Sequence, residues 1–134
     1  MPHFVVEYSS NLEDRLDLDG LIYKIHETAA GTGVFERKGI RTRAARRDHY
    51  RIADGHPDNG FVHLVARIGH GRSVEVRRDA GEKVFAAVCA HLEPIYESSP
   101  LGISFEIQEI NPDVAFRKNN LPDWIAKRGG AKTQ

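Results

Sequence analysis

At 134 residues, 40% hydrophobic and 28% charged, the chain has room for one compact domain with an ordinary core and none for a second. Nineteen basic and nineteen acidic residues cancel, so whole-molecule attraction to nucleic acid or an anionic membrane is not expected and any electrostatic site must be local. A single cysteine, Cys89, excludes an internal disulfide framework and a multi-cysteine zinc site. No apolar run approaches the ~18–20 residues of a membrane helix, and the start Met1-Pro2-His3-Phe4 lacks a signal peptide's basic and apolar regions. The expectation is a cytoplasmic protein with no membrane partner.

His3 to Tyr8 is β-branched and aromatic and predicts a strand. Leu18, Leu21, Ile22, Ile25 and Ala29 then recur at helical spacing behind Asp17, a residue suited to capping, and the helix should stop near Gly31 and Gly33. Gly39 to Ala44 resumes as a strand and completes one βαβ unit. The turn formers of 54–60 mark the midpoint, and Phe61 to Ile68 is a mostly apolar strand. Beyond Gly69–Ser73, with Ser73 as cap, an apolar side made by Ala80, Val84, Ala87, Val88, Leu92, Ile95 and Tyr96 predicts a long helix. Ile103 to Ile107 alternates apolar and polar as a half-buried strand does. The fold expected is therefore α+β, two βαβ units sharing a four-stranded mixed sheet with two helices, residues 1–125 forming the single domain. Residues 119–125 read as a short turn of helix or an arm, and 126–134 as a disordered tail. Two helices cannot cover both sheet faces, so oligomerisation is expected.

Chemistry concentrates at few positions. If Met1 is removed, Pro2 carries a secondary amine, and an apolar pocket near Phe4 would lower its pKa below the roughly 7.7–8.0 of an exposed α-amine, giving a neutral base at pH 7. With Met1 in place the nitrogen is an amide and has no basicity. Arg41 on the second strand and Arg72 before the second helix are placed to reach one end of the sheet; a guanidinium binds carboxylate through a bidentate fork and keeps its charge. Residues 37–51 hold seven basic side chains against Asp48, the best case for nucleic acid, although alternation along a strand sends those charges to opposite faces and a solvated edge strand is the better reading. His3, His63 and His70 show no metal-ligand spacing. His63, between Phe61 and Val65, reads as a core histidine, and Cys89 as a buried inert thiol.

Taken together, PHFVVEYS, GIRTR, ADGHPDNGFVH, IGHGRS, SFEIQEI and FRKNN, in that order from Pro2 to about Asn120, resemble the 5-carboxymethyl-2-hydroxymuconate isomerase family of the tautomerase superfamily. The resemblance implies a homotrimer of βαβ-duplicated subunits and a cofactor-free isomerisation of an unsaturated 2-hydroxy or 2-oxo polycarboxylate in homoprotocatechuate breakdown. It also implies Pro2 as the proton shuttle, with Arg41 and Arg72, which match family arginines, binding carboxylates and the developing oxyanion. The segment 44–47 is more basic than the family pattern, which leaves open a tautomerase acting on another unsaturated acid. The rival from a different class is a binding module that uses the basic segment 37–51.

Overall fold

The computed structural model describes residues 1–129. Its order is β1 (His3–Ser9), α1 (Leu18–Gly31), β2 (Arg41–Arg47), β3 (Gly60–Ile68), α2 (Val74–Ser98), β4 (Leu101–Glu109) and α3 (Leu121–Lys127), with short 3-10 turns at Ser10–Leu12, Arg37–Gly39 and Pro112–Val114. The sheet runs β2-β1-β3-β4; β1 and β2 are parallel, β3 and β4 are parallel, and the two inner strands are antiparallel. Each parallel pair is joined through its own helix, so the expected duplication of βαβ units is present.

Strand parity decides the core. Phe4, Val6 and Tyr8 of β1 and Val62, Leu64, Ala66 and Ile68 of β3 point to one face and are buried. Leu21, Ile25 and Ala29 of α1 and Ala80, Val84, Val88, Leu92 and Ile95 of α2 cover that face. Both expected caps form: Asp17 accepts the amide of Gly20 at 3.1 Å and Ser73 that of Val76 at 3.2 Å. Gly81 is buried where α2 crosses β4, and a Cβ there would lie 3.0 Å from Ile107 Cδ1, so the close crossing depends on glycine.

The opposite face carries Val5, Glu7, Phe61, His63 and Val65, none of them buried, and among the described residues no helix lies over it. This corrects two expectations. His63 is not a core histidine: it shares an edge of that open face with Ser104, whose Oγ is 2.6 Å from its Nδ1. Cys89 is only half-buried on the flank of α2, where burial and then Glu93 raise its thiol pKa.

Strand β2 begins and ends later than expected because Arg37–Gly39 closes as a 3-10 turn first, and β4 extends two residues at each end beyond Ile103–Ile107. Helix α3 carries ordered chain past the expected boundary at 125; the rest of the expected tail, 130–134, lies outside the described residues. No helix among the described residues is long and apolar enough to cross a membrane.

Candidate active site

Because β1 runs antiparallel to β3, the start of β1 lies beside the end of β3, and the parallel pairing adds the start of β2 and the end of β4. Pro2, Arg41 and Arg72 all lie at this end of the sheet, whereas His63 and Cys89 do not. Pro2 is buried immediately before β1, and its carbonyl accepts the amide of Arg41 at 3.0 Å. The Arg41 side chain folds back so that Nη1 donates to the Gly39 carbonyl at 2.7 Å. Arg72 sits between β3 and α2, donating through Nη1 to Gly69 O at 3.3 Å and through Nη2 to Val34 O at 3.1 Å. Its guanidinium lies 5.1 Å above the ring of Phe35, which packs edge-on against Phe4 with centroids 5.8 Å apart. Arg72 thus lies over an apolar floor, and both arginines are held at the sheet end by backbone carbonyls.

One functional candidate was not found by sequence reasoning. After β4 the Ile110 amide donates to Ile68 O at 2.8 Å, and the chain then crosses the whole end of the sheet from β4 at one edge to β2 at the other. There Asn119 Oδ1 accepts from Arg41 Nη2 at 3.4 Å and from the Leu121 amide at 3.0 Å. Arg117 lies on this arm and faces, with Met1, Gly69 and His70, a cleft of about 690 Å³. FRKNN was legible only as a block of resemblance; nothing in its periodicity announces that the arm folds back over the amino terminus.

The chain's terminal ammonium reports this environment. Its pKa is held below the ordinary 8.0, first by burial and then by the charges of Arg117, Arg41 and Arg72. His3 is likewise held below 6.5, by burial and then by Arg43, whose Nη1 lies 3.1 Å from its Nδ1. Among the described residues no carboxylate pairs with Arg41, Arg72 or Arg117, whereas Arg37, Arg46 and Arg47 of the basic segment pair with Glu27, Glu13 and Glu7. Charge neutralisation in the basic segment is therefore largely intramolecular, while Arg41, Arg72 and Arg117 have no carboxylate partner among the described residues. Among the described residues no three His, Cys, Asp or Glu side chains gather as metal ligands would.

The family model for 5-carboxymethyl-2-hydroxymuconate isomerase matches residues 2–125. The chain belongs to this family. It is 44% identical over 121 residues to 5-carboxymethyl-2-hydroxymuconate Delta-isomerase of Escherichia coli, covering 90% of this chain and 96% of that one. A crystal structure of a 5-carboxymethyl-2-hydroxymuconate delta-isomerase superposes with a TM-score of 0.87 at 31% identity, over 93% of both chains. The isomerase of the same name from Deinococcus radiodurans R1 gives 0.86 at 34%, over 92% of both. Beyond the family, a fused 4-OT solved as a symmetric trimer shares the fold at a TM-score of 0.64 and 13% identity, over 88% of this chain and 93% of that one. The chain is thus an isomerase of the 5-carboxymethyl-2-hydroxymuconate isomerase family, built on the tautomerase fold.

Proposed function

We propose that this isomerase moves a proton within 5-carboxymethyl-2-hydroxymuconate or a closely similar unsaturated 2-hydroxy polycarboxylate, without a cofactor, as a step of homoprotocatechuate breakdown. The observation that carries the reading is the convergence on the amino terminus of three arginines with no carboxylate partner among the described residues, Arg72 lying over the Phe4–Phe35 pair. Once Met1 is removed, the amine is that of Pro2, in a site where burial and three guanidinium charges disfavour the ammonium form. A neutral amine at pH 7 then takes the proton of the substrate's 2-hydroxyl. The C2–O bond becomes a carbonyl, the double bonds shift along the chain, and the same nitrogen returns the proton to carbon at the far end of the conjugated system. Arg41 and Arg72 bind carboxylates and hold the negative charge that grows on the 2-oxygen, an interaction stronger in the transition state than in the ground state.

The open sheet face and the trimeric relative support a homotrimer as the working form. Light scattering after size exclusion should then read about three times 15.0 kDa; a monodisperse, fully active monomer overturns the assembly. The chemistry is tested by following loss of the conjugated dienol with protein whose intact mass shows Met1 absent. Turnover that persists undiminished when one residue is added ahead of Pro2 rejects Pro2 as the base.

A further inference from the structure

Arg117 differs from the other two arginines in how it is held. Arg41 and Arg72 each spend N–H groups on backbone carbonyls, which fixes their forks at the sheet end. Arg117 is exposed on an extended part of the arm, two residues before the Asn119 that ties the arm to Arg41, and it faces the cleft beside Gly69, the residue whose carbonyl holds Arg72. The cleft's lining includes Met1 and Arg117 but neither Arg41 nor Arg72, so the arm puts a third guanidinium beside the amino terminus on a wall of its own. A cleft of about 690 Å³ is of the size that holds a small organic ligand. Of the charges acting on the amine, that of Arg117 is the strongest, which agrees with this placement.

A muconate carries two carboxylates, and a carboxymethyl substituent adds a third on a side arm. We propose that Arg117 binds that third carboxylate and makes the enzyme selective for a tricarboxylate over the dicarboxylate that lacks the side arm. The inference rests on the isomerase reading above and goes beyond it in assigning the substrate's third charge. A guanidinium with no acidic partner loses no native ion pair when replaced, so the substitution reads out recognition and leaves the fold in place.

The test measures kcat/KM of wild type, Arg117→Gln and Arg117→Lys on 5-carboxymethyl-2-hydroxymuconate and on 2-hydroxymuconate. With each substrate compared at the pH-independent plateau of its profile, where the guanidinium's effect on the amine's ionisation drops out, the tricarboxylate should lose about 10- to 100-fold in Arg117→Gln, mostly through KM, while the dicarboxylate changes less than about threefold, as for loss of one charge-assisted hydrogen-bonded contact. Lysine should restore part of the difference. Equal losses on both substrates, or no loss on either, overturn the proposal. Calorimetry with two unreactive probes, tricarballylate and glutarate, decides it independently of turnover: wild type should prefer the tricarboxylate and Arg117→Gln should not. If wild type isomerises neither substrate, the isomerase reading falls, and the calorimetric preference still tells whether Arg117 reads a third carboxylate.

Discussion

The two ends of the sheet are topologically equivalent and chemically opposite. At one end, β2 starts at Arg41, α2 is preceded by Arg72, and the inner strand β1 follows Pro2. At the other, β4 starts at Leu101, α1 is preceded by Leu16 ahead of its cap, and the inner strand β3 starts at Gly60. The second end is closed. The Gly60 amide donates to Pro100 O at 3.0 Å, the Phe61 amide to Ser9 Oγ at 3.0 Å, and Asn11 Nδ2 to the carbonyls of Pro57 and Asn59 at 3.1 and 2.8 Å. A Cβ at Gly60 would come 3.0 Å from Leu12 Cδ2, so side chains pack closely against the start of β3. A duplicated βαβ frame thus supplies two equivalent ends, and a few side chains decide which becomes a site. Where the open end has Arg41 and Arg72, the closed end has Leu101 and Leu16, which pack into or against the core.

The largest effect should come from the amino terminus of the open end. Extending the chain ahead of Pro2 converts the amine to an amide and should lower kcat/KM by about 10²–10⁴, the usual contribution of a general base, with circular dichroism unchanged. Pro2→Ala keeps a primary amine and should retain part of the activity. Next come the arginines: Arg41→Ala or Arg72→Ala should cost about 2–4 kcal/mol of transition-state stabilisation, read from kcat/KM, with lysine only partly restoring it. The closed end should behave oppositely. Asn11→Ala removes two backbone contacts and should cost about 1–2 kcal/mol in urea unfolding while leaving kcat/KM per folded enzyme unchanged; a large catalytic loss there would break the comparison. The caps sharpen it further, since Asp17→Ala and Ser73→Ala should each destabilise by about 1 kcal/mol, but only Ser73, next to Arg72, should also disturb kcat/KM. The smallest effect is a shift on the pH axis. The Met1 ammonium is depressed below 8.0 by burial and by Arg117, Arg41 and Arg72; the Pro2 amine exposed by its removal should feel the same groups, so kcat/KM should rise as pH increases through a value below 8.0, where the base loses its proton. Raising ionic strength screens the arginines and should move that limb upward.

Much of this comparison was legible in the residues and part was not. Alternation in His3–Tyr8 and the spacing of Leu21, Ile25 and Ala29 report burial on one face, so both βαβ units and both caps could be read from local periodicity. Arg41 and Arg72 stood at element boundaries, where position alone placed them at the sheet end. His63 was misread because a strand with apolar residues on both sides looks fully buried, whereas the face it shares with Phe61 and Val65 has no helix over it among the described residues. Arg117 could not be found because its position depends on an irregular segment tied down by long-range bonds, Ile110 to Ile68 and Asn119 to Arg41, and such bonds leave no period in the sequence.

The buried position of Pro2 also sets an order on the making of the enzyme. Pro2 is buried, and its carbonyl is already bonded to the Arg41 amide. An aminopeptidase needs the Met1–Pro2 bond extended in its own cleft, which the finished fold does not offer. Trimming therefore belongs to the nascent chain, before β2 has been laid beside β1. On the proposed mechanism, a polypeptide that keeps its initiator methionine has no amine at Pro2 and is catalytically silent, well formed by spectroscopic measure and distinguishable by its mass.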